Sequence, residues 1–282
     1  MSASGFRRAS FGAGLRWLPA GAELLFRAPA PMSAIAALWL LVTLVAMLIP
    51  VIGQLLLVMF TPLLTAGVLM AFDSTAKGEQ PGPMTLFSGW RDPYRRLRLL
   101  AVGFFSLAGS MLAAAVLIGW LGGQMGQAEL EAAARSPEAL AQALTEVRLG
   151  PGMLMAGLVF GLVLAALFFA IPLIMFGQLG SFPALLMSLR AVLVNWLAFV
   201  GFGLATLAMA MAMGFLLALL MALLDLALGQ AGMFVIQVLV LMTTMFVQLL
   251  LAGAQYVAFC QLFGWRPGGP DQGAEREDQL IA

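Results

Sequence analysis

The sequence contains no histidine, one cysteine (Cys260) and one lysine (Lys77), and only 10% of its residues are charged. Each scarcity excludes something. Without histidine, the chain lacks the commonest general base and the commonest metal ligand. A lone cysteine cannot form an internal disulfide. Cys260 ends the last apolar run, where it reads as a small buried hydrophobe rather than a reactive thiol. The low charge is the most consequential of these. Soluble domains carry roughly 25% charged residues, and this chain cannot cover a water-facing surface with so few. Catalytic signatures are missing as well. There is no HExxH, GxSxG, Walker A loop or GxGxxG fingerprint. No ionisable residue falls near the centre of an apolar run, and Asp225, the nearest, sits at the end of the fifth. A proton relay and proteolysis by paired aspartates are therefore disfavoured. The expectation is a non-enzyme with no cofactor and no metal site.

What is present is hydrophobicity. The chain is 62% hydrophobic with a mean hydropathy of +1.02, and needs lipid as solvent for most of its outside. The apolar runs are about 20 residues long, which suits helices; a barrel would show short alternating segments. The expected fold is all-α, a polytopic transmembrane helical bundle of six spans with short amphipathic interfacial helices. The approximate spans are 32–49, 54–72, 99–121, 153–176, 196–222 and 234–260. Residues 1–31 form a cytoplasmic amphipathic segment, 32–263 the six-span domain with a periplasmic loop at 123–152, and 264–282 a disordered cytoplasmic tail. Pro50 and Gly53 interrupt the first two runs and predict a tight helical hairpin. The first run is of full span length and follows about 30 residues, so it reads as an anchor and not as a cleaved signal peptide. The 34-residue stretch Ala191 to Leu224 reads as one tilted helix whose first turns, around Asn195 and Trp196, lie in the interface.

The basic residues set the orientation. Twelve lie on the side of both termini, including Arg7, Arg27, Lys77 and Arg190, against Arg135 and Arg148 on the other. The positive-inside rule then places both termini in the cytoplasm. Thirteen of the 14 basic residues are Arg, a bias that suits a GC-rich bacterial genome.

Four features between and within the spans are candidates for function. Residues 13–28 suit a helix lying on the inner leaflet, with Trp17 and Phe26 toward acyl chains and Arg16 and Arg27 toward phosphates. Leu86, Phe87 and Trp90 precede Arg91, Arg95, Arg96 and Arg98, a cluster that serves as a topology signal or as a set of anionic-lipid contacts. In the 123–150 loop, Ser136 and Pro137 start a short helix with Leu140, Leu144 and Val147 on one face. On the sixth run, Gln237, Thr244, Gln248 and Gln255 are separated by seven, four and seven residues. At 100° per residue they form one narrow polar stripe, which is expected to face the bundle or a cavity, because lipid offers an amide no partner. The stripe reads as interhelical glue or as the wall of a polar path.

Small residues also recur at spacings of four: Ala115, Gly119 and Gly123; Gly157, Gly161 and Ala165; Ala210, Gly214, Ala218 and Ala222. They are expected to pack helices inside the bundle, or to bring two copies together. A weak internal repeat is visible at an offset of 100, where Pro83-Met-Thr-Leu86-Phe-Ser88 matches Pro183-Ala-Leu-Leu186-Met-Ser188. Each copy enters the next span through an interfacial stretch, so the repeat would be parallel. The expected partners are membrane lipids and either a second copy, as a homo-oligomer, or another membrane protein, with no nucleic acid.

The motifs Leu15-Arg16-Trp17-Leu18, Leu25-Phe26-Arg27 with Pro29, Ile49-Pro50-Val-Ile52-Gly53, Pro62, Gly67 and Leu86-Phe87-Ser-Gly89, then Ser188-Leu-Arg190 with Asn195-Trp196, resemble an uncharacterised family of multi-span integral inner-membrane proteins of Gram-negative bacteria. The resemblance covers roughly residues 14 to 262. It implies an inner-membrane location and carries over no activity or ligand residue. Two functions from different classes follow: a non-enzymatic component that binds lipid or protein, and a transporter or channel for a neutral or amphipathic solute.

Overall fold

The computed structural model describes residues 5–124, 149–228 and 232–267. The helix expected around Ser136 and most of the C-terminal tail lie outside the described residues. Within them the protein is all-α, and six helices are long and apolar enough to cross a membrane. It is a multi-pass membrane protein.

The helices begin and end where local chemistry dictates. Helix α1 (Phe11–Arg27) starts at Ser10, whose side chain accepts the Ala13 N–H at 3.3 Å, an N-cap. Pro29 sits at the first position of α2 (Pro29–Met47), where its missing N–H costs nothing. Pro50 and Val51 turn the chain into α3 (Ile52–Ala76). Val51 sits there at φ 63°, a left-handed conformation that a β-branched residue adopts only under strain. A 3-10 helix (Pro83–Trp90) follows. Asp92 then caps α4 (Pro93–Gln124), its carboxylate accepting the Tyr94 N–H at 2.8 Å. The fourth span is broken into α5 (Leu149–Phe168) and α6 (Ala170–Met175). Helix α7 (Ser181–Val194) leads to α8 (Trp196–Leu228), and α9 (Gly232–Phe263) completes the bundle. The stretch from Ala191 to Leu224 is thus not one tilted helix. It breaks at Asn195, whose side chain accepts the Ala9 N–H at 2.7 Å and donates to the Ala191 carbonyl at 2.8 Å.

One pattern, a short helix followed by two long ones, occurs three times: α1–α2–α3, the 3-10 helix with α4 and α5–α6, and α7–α8–α9. The repeat visible in the sequence covers the last two units only. The short helices pack in a cycle. The 3-10 helix lies on α3, α7 lies on α5, and α1 closes the ring by lying on α9 and α8. The two matched serines have diverged. Ser188 bridges a helix break, described below, whereas Ser88 Oγ is buried with no hydrogen-bond partner among the described residues.

The first and last described segments meet on one face, where the Arg7 N–H donates to the Leu262 carbonyl at 2.7 Å. The core sits in the half of the bundle next to this terminal face. It comprises Leu63 to Phe72 of α3, most of α6, much of α1 and the last turns of α9. Toward the far face α4 stays packed on α5, where a Cβ at Gly152 would overlap the Trp120 ring, but α8 and α9 stand away from α5, and the most apolar stretch of α8 buries no residue at all.

Helix α1 leaves Phe26, Arg16 and Arg27 exposed as expected but does not turn Trp17 toward lipid. Trp17 is 1% exposed, packs edge-on to Phe199 at 5.3 Å and donates its indole N–H to Gln261 Oε1 at 2.7 Å. The cause is glycine at two positions seven apart. A Cβ at Gly14 would overlap the Ala198 carbonyl, and one at Gly21 would overlap the backbone at Ala254. Only without those side chains can α1 settle onto α8 and α9. The aromatic side chains that do face outward near the terminal face include Phe11, Phe26, Tyr94, Phe182 and Trp196, which suits an interfacial belt.

Candidate functional site

The polar stripe is divided by the fold. Gln255 is half-buried and donates its amide to the Phe168 carbonyl. That carbonyl is free for a reason legible in the sequence. Pro172, four residues on, has no N–H to donate to it. At the same break the Ser188 hydroxyl inserts into the helical ladder. It accepts the Phe169 N–H at 2.8 Å and donates to the Ala165 carbonyl at 2.7 Å. Gln255 and Ser188 together satisfy the backbone groups freed by the break, which is how proline is tolerated within a span.

Gln237, Thr244 and Gln248 are not brought into the bundle. All three are exposed, contrary to the expectation that the stripe faces protein. At the level of Gln255 the stripe points at α5. Farther out, the backbones of α5 and α9 do not pack, so the same stripe looks into widening space. Thr244 is satisfied within its own helix, donating to the Val240 carbonyl at 2.8 Å. Gln237 and Gln248 make no hydrogen bond to any described residue.

The three small-residue faces are not internal packing seams either. Ala210, Gly214, Ala218 and Ala222 are exposed, as are Ala115, Gly119, Gly123, Gly157 and Gly161. A Cβ added at Gly119, Gly157, Gly161 or Gly214 would meet nothing within 4 Å. Helix separation toward the far face removes the partners those faces were expected to have.

The arginine cluster is also divided. Arg98 donates to the Gln178 carbonyl at 2.9 Å and to Leu179 at 3.4 Å, while its own carbonyl accepts Ser181 Oγ at 3.0 Å. It ties the start of α4 to the loop between α6 and α7. Arg95 pairs with Asp92 at 3.3 Å. Arg91 and Arg96 are exposed and remain available to a phosphate.

A charged site that sequence reading missed lies near the terminal face. Asp73 on α3 is 2% exposed. Its Oδ1 accepts Tyr256 OH at 2.8 Å and Trp265 Nε1 at 2.9 Å, and its Oδ2 pairs with Lys77 at 2.8 Å. A buried carboxylate needs this much compensation. The available signal was Asp73 as the one acidic residue of α3, four positions before the only lysine. Its partners all belong to this chain and fasten α3 to the end of α9, which makes it a structural clasp. Among the described residues no group of three or more His, Cys, Asp or Glu is placed to hold a metal.

Two concavities lie on the surface of the described residues. An apolar groove of about 310 Å³ runs between α2 and α9, lined by Phe26, Ser33, Ala37, Leu40, Met242 and Phe246 among others. A polar basin of about 370 Å³ lies where α1 and α3 end, with Arg27, Lys77 and Glu79 on its rim. Arg27 is already engaged with Glu23 at 2.9 Å, as Lys77 is with Asp73.

No family model, no curated protein and no solved structure matches this chain.

Proposed function

We propose that this protein is a non-enzymatic component of a bacterial inner membrane that works by binding: anionic lipid at the terminal face and another membrane chain along the open far half. The observation that carries this reading is the open half itself. It exposes small-residue helix faces and unpaired amides, surfaces that a self-sufficient bundle would cover. The excess of basic residues on the terminal side supports cytoplasmic termini, and the resemblance to the inner-membrane family supports the location. Of the four clustered arginines, Arg91 and Arg96 are the lipid contacts, since Arg95 and Arg98 are engaged within the chain. The test is purification in native lipid with identification of what accompanies the protein. Enrichment of anionic lipid or of a defined protein is the expected result. Recovery of bulk lipid alone, with no protein partner and no second copy, would overturn the reading.

A second reading, a transporter or channel for a neutral or amphipathic solute, is favoured by one observation: Gln248 and Thr244 look into the space between α5 and α9. It predicts water at that face. In a Cys260→Ala background, cysteines at Gln237, Thr244 and Gln248 would then react with a small water-soluble thiol reagent, while those at Val235 and Met242 would not.

A further inference from the structure

The three units of the chain meet at three junctions. At two of them, a long helix of one unit packs on the last long helix of its neighbour, α4 on α3 and α2 on α9. The first is intimate enough that a Cβ at Gly103 would overlap the Met59 carbonyl. At the third junction α8 stands away from α5, and Gly157 and Gly161 of α5 meet nothing. The stripe on α9 looks into this same open junction. We infer that a second copy of this chain seats here, with Gln248 and Gln237 of α9 pairing with the same residues across a two-fold axis. The inference rests on the reading that the far half binds another membrane chain, and it names that chain.

Chemistry decides the occupant. Gln248 lies near the middle of the span Val235–Phe263, where acyl chains offer no hydrogen bond and headgroups do not reach. An unpaired amide there is costly. An amide is both donor and acceptor, so an identical helix related by a two-fold presents its complement without any further design. The described parts of α8 and α9 from Trp196 to Leu224 and from Val235 to Phe263 contain no charged residue, so two copies approach without repulsion. The exposed small residues of α5 and α8 leave room for a close helix contact.

The test uses the full chain in membrane vesicles in a Cys260→Ala background. A cysteine at Thr244, whose hydroxyl is already satisfied within its own helix, should oxidise to a cross-linked dimer several-fold more readily than one at Phe104, which is 65% exposed on α4. Independently, Gln248→Leu should raise the dimer dissociation constant about five- to tenfold, as expected for two interhelical amide bonds. Leucine suits an exposed position in lipid, so the variant monomer still folds. Equal cross-linking at Thr244 and Phe104, or an unchanged dissociation constant, overturns the inference. So does a Thr244 cysteine that is blocked by a water-soluble thiol reagent without cross-linking, which would point to the transporter. A monomer that still brings down anionic lipid or a different protein sinks this inference and leaves the broader reading standing. A monomer accompanied by bulk lipid alone sinks both.

Discussion

The two halves of this bundle are built from similar sequence and behave differently. Near the terminal face, α3, α6, α7 and the last turns of α9 interlock, with Phe72, Phe169, Leu86 and Leu262 fully buried. In the far half the helices are as apolar or more so, yet α8 buries nothing over its most hydrophobic stretch. Hydrophobicity therefore does not decide which half packs. In lipid it cannot, because tails are as apolar as leucine and close packing and hydrogen bonds must do the work instead. The packed half contains the devices that supply them: glycines opposed to backbone, Ser188 and Gln255 at the proline break, and the Asp73 clasp. The far half has fewer of them: Gly53 opposes the Ala46 carbonyl and Gly152 the Trp120 ring, but Gly119, Gly157, Gly161 and Gly214 oppose nothing, and Gln237 and Gln248 find no hydrogen-bond partner among the described residues.

The sharpest way to break this contrast is one methyl group in each half. Gly21→Ala should destabilise the protein by about 3 kcal/mol or more, because the new Cβ meets α9 backbone that cannot yield. Gly119→Ala in the far half should be neutral, or stabilise by up to about 1 kcal/mol through helix propensity. Thermal unfolding in detergent reads both, and equal losses would remove the distinction. Next in size is the clasp. Asp73→Ala should cost about 3 kcal/mol by leaving Tyr256, Trp265 and Lys77 without their shared acceptor. Arg95→Ala, which loses only a half-exposed pair within one turn, should cost less than about 1 kcal/mol. Ser188→Ala should cost about 1–2 kcal/mol, since the Phe169 N–H and Ala165 carbonyl lose their partner.

A smaller effect sharpens the assignment of the arginines. Changing Arg91 and Arg96 to Lys keeps their charge but removes the forked donor. Co-purified anionic lipid should fall if they grip phosphate and stay level if they only set topology. Arg98→Lys should leave lipid unchanged and loosen the loop at Gln178.

The spans, their number and the all-α fold were legible because runs of apolar residues need no tertiary information to be read. The break at Asn195 was not, since an apolar stretch looks the same whether or not an amide interrupts it to hold Ala9. Trp17 shows the same limit. A tryptophan between arginines reads as an interfacial anchor, and only the approach allowed by Gly14 and Gly21 places it in the core. Periodicity alone groups the four polar residues of α9. Their surroundings depend on where α5 and α9 diverge, and one helix's own spacing holds no record of that.

The contrast between a packed terminal half and an open far half is tested most directly by two spin-label distances in the Cys260→Ala protein, in native-lipid discs and diluted with unlabelled copies. One pair, Gln178 with Arg266, flanks the contact where the Phe176 and Trp265 rings lie 5.1 Å apart. The other, Gly157 with Thr244, spans the space between α5 and α9. The first pair should give a short, narrow distribution and the second a longer, broad one. Two equally short and narrow distributions would mean that α5 and α9 pack along their whole length, and would contradict the open half.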